Sequence, residues 1–224
     1  SEGKDADITV GLAGNPNVGK SAFFHQVTGI GVTVSNYPGT TVEIAEGITY
    51  HRDRNIKVID LPGVYSLGAV AEDEWVARRA ILERNIDVII DVIDASNLER
   101  NLYLTLQLIE LNVPLVVVLN QYDRAQETGI NIDADLLSKR LGVPVIKTVS
   151  TRGENVYEAF EKAIEVGKEK RKPRKRIEMG KDLEKTIEPL TESIKDNIDI
   201  IPFDLPPRTL AIKLLEGDRE IIDR

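Results

Sequence analysis

Residues 13–24 read AGNPNVGKSAFF, directly behind the apolar run ITVGL. Gly14, Gly19, Lys20 and Ser21 satisfy G-x-x-x-x-G-K-[ST], with a strand-like run before them and a helical segment after. The chemistry such a loop performs is phosphate binding. Its glycines let backbone N–H groups converge on phosphate oxygens, and the helix that opens behind them adds its positive end. The cradle then runs through Gly14, Asn15, Asn17, Val18, Gly19, Lys20, Ser21 and Ala22. Lys20 reaches the β- and γ-phosphates, and the Ser21 hydroxyl binds Mg²⁺. The pattern arises by chance roughly once in a hundred chains of this length, so a plain strand-to-helix turn is set aside.

Four later signals choose the nucleotide. DLPG at 60–63 ends a buried run, where Asp60 is placed to hold the metal through water and Gly63 can turn its N–H toward a γ-phosphate. NQYD at 120–123 ends another. Guanine presents an N1–H and a 2-amino group, and one carboxylate accepts from both, so Asp123 reads the base while Asn120 braces the loop. Gln121 stands where N-K-x-D carries lysine, which predicts somewhat weaker guanine binding. VSTR at 149–152 follows the last strand, and Ser150 and Thr151 fit a loop whose backbone meets the base. VSNYPGTTVE at 34–43 lies where a switch loop supplies a threonine to Mg²⁺, with Thr40 and Thr41 both available. Five signals in this order mark a GTPase. Many small GTPases place a glutamine directly after D-x-x-G to orient water; here Val64 cannot hydrogen-bond, which predicts slow turnover, a switch rather than a motor.

The elements that must position these residues alternate. Strand-like runs at 7–14, 42–51, 55–63, 86–95, 112–121 and 143–150 separate helical periodicities at 19–29, 72–84, 98–111, 133–141 and 154–167. Several runs are nearly unbroken Val/Ile/Leu, as in strands buried on both faces of a parallel sheet. The run at 42–51 is more polar and alternates, as an edge strand would. The expectation is an α/β P-loop NTPase: a mainly parallel six-stranded sheet with helices on both faces over 1–167. From 168 the chain changes character. KEKRKPRKR at 168–176 holds seven Lys or Arg against one Glu, either a solvated linker or a segment for an anionic membrane surface. Beyond it, Leu183, Ile187 and Leu190, then Leu210, Leu214 and Leu215, recur at helical spacing. Residues 168–224 are read as this linker plus a small all-α domain, packed against or hinged from the first.

Composition bounds the partners. With 42% hydrophobic and 29% charged residues, the 224-residue chain has a soluble globular composition. Its net charge of −8 argues against an overall nucleic-acid footprint. No cysteine is present, so disulfides and thiolate chemistry are excluded. No apolar run approaches the ~20 residues of a membrane span, and the first residues show no apolar signal region, although the chain can be a piece of something larger. His25 and His51 lack acidic partners at metal-ligand spacing. Trp75 is read as a packing residue, and the acids at 72–74 as a solvated helix start.

GNPNVGKSAFFHQVTG, VSNYPGTTVE, IDLPGVYSL, NLERNLYLTLQLIE and LAIKLLEGD together resemble the N-terminal cytosolic part of the ferrous iron transport protein B family, from about residue 8 to the C-terminus. The resemblance implies a GTP/GDP-binding regulatory domain, then a helical domain associated with tighter GDP retention, then a C-terminal transmembrane iron-permeation domain of the same polypeptide. It places the chain at the cytoplasmic face of the membrane, with a homo-oligomer as a further partner to consider. It makes Thr41, not Thr40, the switch ligand of Mg²⁺. It also implies that Asn15 lends a side-chain oxygen, with carbonyls of Ser35 and Tyr37, to K⁺ beside the phosphates, where such a charge could replace an arginine finger. A turn-bracing role is the plainer reading of Asn15. Ser35 departs from the usual glycine, which a carbonyl ligand tolerates. Two rival readings share the P-loop core: a ribosome- or RNA-binding assembly factor, and a module that binds nucleotide without turnover.

Overall fold

Val, Ile and Leu fill the central strands, and their alternation distributes them to two faces of one sheet. The computed structural model describes residues 6–29, 31–68, 70–83 and 85–223. Residues 1–5, Arg84 at the end of the expected second helix, and Arg224 lie outside that set. The strands are β1 (Ile8–Gly14), β2 (Thr33–Asn36), β3 (Glu43–His51), β4 (Arg54–Asp60), β5 (Val88–Asp94), β6 (Leu115–Asn120) and β7 (Val145–Lys147). They join in the order β2-β3-β4-β1-β5-β6-β7. The five from β4 to β7 run parallel, and β2 and β3 pair antiparallel at one side.

The sheet therefore has seven strands, not the six expected. The extra one, β2, is TVSN with all four side chains exposed, so it carries no burial pattern to read. It is held by backbone pairing alone, Thr33 opposite Glu46 through Asn36 opposite Glu43. It also moves β3 one place in from the edge the alternation suggested. The run read as a strand to residue 63 stops at Asp60, leaving Leu61–Gly63 in a loop.

The helices are α1 (Lys20–Thr28), α2 (Glu72–Glu83), α3 (Leu98–Glu110), α4 (Tyr122–Glu127), α5 (Ala134–Leu141), α6 (Val156–Lys168), α7 (Lys181–Asn197), α8 (Pro207–Leu215) and α9 (Arg219–Ile222). On one face of the sheet Val88, Ile90 and Val118 pack with Phe23 and Phe24 of α1 and Phe160 and Ile164 of α6. On the other, Ile89, Ile93, Val117 and Leu119 meet α2 and α3.

The helical segment packs onto this second face. Ile187, Ile194, Leu210 and Ile212 belong to its cluster, and the Thr209 hydroxyl donates to the Glu110 carbonyl at 2.6 Å. Of the residues recurring at helical spacing, Ile187 and Leu210 are buried, whereas Leu183 and Leu215 are 58% and 48% exposed. Arg78 of α2 is buried and pairs with Asp218 at 2.5 Å, while Arg79 bonds Glu220 at 2.8 Å. The helix that follows DLPG is thereby fastened to the C-terminal turn of the chain.

Candidate nucleotide-binding site

The loops after β1, β4, β6 and β7 open at the carboxyl ends of parallel strands, the edge where open α/β sheets take ligands. Gly14 lies so close to β5 that a Cβ there would stand 2.5 Å from the Val92 carbonyl oxygen. Gly19 has φ 85°, and its Cβ would meet Asn120 Nδ2 at 2.3 Å. Neither position admits a side chain. Directly behind them α1 begins at Lys20, with Ser21 exposed in its first turn. The Lys20 ammonium pairs with Asp60 and donates to the Leu61 carbonyl at 2.6 Å. Residues far apart in the chain, Lys20 and Asp60, thus meet at the mouth of the loop with Ser21 beside Lys20.

The base end is tied together by one amide. Asn120, 2% exposed, donates from Nδ2 to the Val18 carbonyl at 2.8 Å. Its Oδ1 accepts from the Ser150 N–H at 2.9 Å, the Ser150 hydroxyl at 2.7 Å and the Thr148 hydroxyl at 3.0 Å. Three loops, the P-loop, NQYD and VSTR, are joined through it. Gln121 extends the tie, its Nε2 donating to the Asn17 carbonyl at 3.4 Å. Asp123, in the first turn of α4, is partly exposed and pairs with Arg152 at 3.0 Å. A hollow of about 240 Å³ lies here, lined by Asp123, Lys147, Arg152 and their neighbours. Thr151 beside it is exposed.

The switch residues are arranged differently. Thr41 is exposed, and its hydroxyl donates to Glu72 at the start of α2, at 3.0 Å, away from the Lys20–Asp60 pair. Thr40 caps its own turn, with its N–H and hydroxyl both donating to the Tyr37 carbonyl at 3.0 and 2.9 Å. That carbonyl is accordingly engaged, not free for a cation. Ser35 sits in β2 opposite Ile44. The Tyr37 ring stacks edge-on to Trp75 at 5.9 Å, so Trp75 packs against the switch segment itself. Val64 is buried in the core, and its N–H donates to the Gly14 carbonyl at 3.1 Å. Asn15 is buried, donates weakly to the Arg100 carbonyl at 3.5 Å, and leaves Oδ1 buried without a partner. An orphaned buried oxygen of this kind fits a cation ligand.

Some participants carry no motif. Thr148 precedes VSTR and looks ordinary in sequence, yet it completes the Asn120 shell. Arg152 is inside VSTR, and only the fold sets it against Asp123. Asn101 of α3 accepts from the Asp94 N–H at 3.3 Å. Below them Asp91 lies in the core, accepting from the Thr105 hydroxyl at 2.5 Å. Burial pushes its carboxyl up to about 7, with the Thr105 hydrogen bond opposing the shift. His51 is engaged too, packing on Tyr157 and Phe160.

Known proteins share this arrangement. Residues 8–163 match the family model for ferrous iron transport protein B, and residues 180–224 match that for the FeoB cytosolic helical domain. The Fe(2+) transporter FeoB of Escherichia coli (strain K12) is 43% identical over 218 residues, covering 94% of this chain and 27% of that protein. The Fe(2+) transport protein A/Fe(2+) transporter FeoB fusion protein of Porphyromonas gingivalis (strain ATCC BAA-308 / W83) is 42% identical over 217 residues, 96% of this chain and 26% of that one. The chain thus spans about a quarter of the length of these relatives. The crystal structure of the cytosolic domain of the T. maritima FeoB iron transporter in apo form superposes with a TM-score of 0.88 at 38% identity, over 96% of this chain and 84% of that one. A GDP-bound mutant of the S. thermophilus FeoB G-domain gives 0.88 at 36% identity, over 97% and 82%. Fold, loop order and sequence agree, and the chain belongs to the ferrous iron transport protein B family.

Proposed function

We propose that this chain binds GTP and GDP and hydrolyses GTP slowly, as the regulatory G domain (1–167) and the basic linker with small helical domain (168–224) of a membrane Fe²⁺ transporter. The observation that carries the reading is the Asn120 network, which joins the phosphate loop to the two loops flanking Asp123. One buried amide thereby sets the distance from phosphate to base. Asp123 then accepts from guanine N1–H and the 2-amino group, exchanging its exposed partner Arg152 for the base. Adenine has no such pair of donors.

At the other end the P-loop N–H groups and Lys20 bind the phosphates. Ser21, Asp60 and Thr41 would hold Mg²⁺, which neutralises charge on the β- and γ-oxygens when bound. For this, Lys20 exchanges Asp60 for phosphate oxygens, and Thr41 leaves Glu72. Asn15 Oδ1, with the Ser35 carbonyl, would hold K⁺, which would supply positive charge beside the phosphates. Tyr37 joins that shell only after its carbonyl gives up Thr40. Val64 is locked in the core and cannot orient water, so backbone groups, another side chain, a partner or an ion must do so, which favours a slow rate. The Arg78–Asp218 and Arg79–Glu220 pairs support a second role, in which the helical segment restrains α2 and with it the loop carrying Gly63.

Calorimetric titration with GDP and ADP, followed by multiple-turnover GTP hydrolysis in Mg²⁺, tests the assignment. GDP binding at least about 100-fold tighter than ADP, with several turnovers per chain, is expected. Equal affinity for the two would remove Asp123 from base recognition. Tight GTP binding with no turnover would reduce the chain to a binding module.

A further inference from the structure

The chain carries a net charge of −8, yet residues 168–176 hold seven Lys or Arg and one Glu, a net +6 that leaves −14 for all other residues. The structure shows that this segment is not a free coil. Its backbone is fastened at successive points: Lys170 N–H to the Gly167 carbonyl at 3.1 Å, Arg171 N–H to Val166 at 3.0 Å and Arg174 N–H to Gly142 at 2.9 Å. Two of its side chains act as tethers. Arg171 pairs with Glu165 and Glu169, and Arg176 with Glu184 at 2.8 Å. Between the tethers, Lys172, Arg174 and Lys175 are exposed and form no ion pair among the described residues. Lys139 of α5, likewise exposed and unpaired, faces the same groove, whose volume is about 580 Å³. Leu115, Val143 and Val166, all buried, lie beneath it, with half-buried Pro144 at its wall.

We infer that this groove is a docking surface for the anionic phospholipid headgroups of a bilayer. Two observations favour a lipid surface over other polyanions. The cations are displayed on pinned backbone along one face while the rest of the molecule is acidic, which suits a planar negative surface. No aromatic ring lines the groove, so it offers nothing on which a nucleic-acid base could stack. Leu115, Val143 and Pro144 also place it at the amino ends of β6 and β7, whereas Asn120 and the base loops lie at the carboxyl ends. A headgroup and a nucleotide occupy opposite edges of the sheet, and the inference stands whether or not the nucleotide reading does.

The experiment is co-sedimentation of the chain with phosphatidylcholine vesicles, with and without about 30% phosphatidylglycerol, at about 0.1 M and about 1 M salt. Binding only to the anionic vesicles, abolished at high salt, is expected. The triple variant Lys172→Gln/Arg174→Gln/Lys175→Gln lowers the partition coefficient roughly 100-fold, about fivefold per charge, with an unchanged thermal melt. Equal partition onto both vesicle types, or undiminished binding by the folded variant, overturns the proposal. So does tighter, equally variant-sensitive binding to a single-stranded RNA oligonucleotide at matched phosphate concentration, which would assign the groove to nucleic acid.

Discussion

At the base end of the site Asn120 accepts three hydrogen bonds and donates a fourth, all from a buried position. At the switch end Thr41 is exposed and its hydroxyl rests on Glu72, while the Tyr37 carbonyl is engaged by Thr40. The scaffold of the first region, built on Asn120, is fixed in advance, although Asp123 itself is held by Arg152. The second must exchange partners before it can contribute to a metal or cation shell. The contrast follows from burial: polar groups shut away from water need fixed partners, whereas exposed ones change partners at small cost. On the proposed reading, such a site keeps a fixed frame on its base side and responds to the γ-phosphate by partner exchanges at Lys20, Thr41 and the Tyr37 carbonyl.

Four substitutions probe the two regions and the core beneath them. The largest effect concerns the floor beneath both. The Asp91 carboxyl is raised to about 7 in the folded protein, so between pH ~4 and ~7 the folded state holds a proton that the unfolded chain has lost. Stability from this group is therefore highest at the acid end of that window and declines as pH rises through 7, by about 4 kcal/mol in all. Denaturant unfolding across the window measures the decline, and Asp91→Asn removes it while leaving both ends of the site alike. Asn120→Ala comes next. It strands the Val18 carbonyl, the Ser150 N–H and two hydroxyls, destabilises by about 3 kcal/mol, and weakens GDP and GTP binding together. If only GTP binding fell, the base end would not be the fixed region. Asp123→Asn lowers GDP affinity about 100-fold and raises affinity for xanthosine diphosphate, whose 2-oxo group accepts from the new amide; calorimetry on both ligands checks the exchange. Thr41→Ala is the smallest, a roughly tenfold loss of GTP turnover with GDP affinity unchanged. A matching loss of GDP affinity would show that the switch end is not separate.

What was legible in the sequence follows the same division. β1, β5 and β6 are apolar because both faces are covered, and their pattern alone announces a parallel sheet. The glycines and Lys20 are legible because backbone crowding and phosphate chemistry admit few other residues. β2 was not, since its four exposed side chains carry no burial signal and its pairing is entirely main-chain. α4, six residues long, is too short for periodicity. Thr148 and Arg152 gain their roles from loops brought together by Asn120, which no local spacing encodes. In the helical segment the spacing picked out Ile187 and Leu210, which are buried, together with Leu183 and Leu215, which are exposed, and it did not single out Ile194 or Ile212, because an amphipathic stripe does not reveal which part of it a neighbour covers.

The most direct test of a switch end completed by exchangeable ligands is steady-state GTP hydrolysis in KCl and in NaCl at matched ionic strength, with Mg²⁺, for the native chain and Asn15→Ala. Asn15 Oδ1 is the one group of that end already buried without a partner among the described residues named above. Turnover is expected to be faster in KCl, roughly tenfold or more, with loss of that advantage in the variant while GDP binding persists. Equal rates in the two salts, or a K⁺ advantage that survives Asn15→Ala, would contradict it.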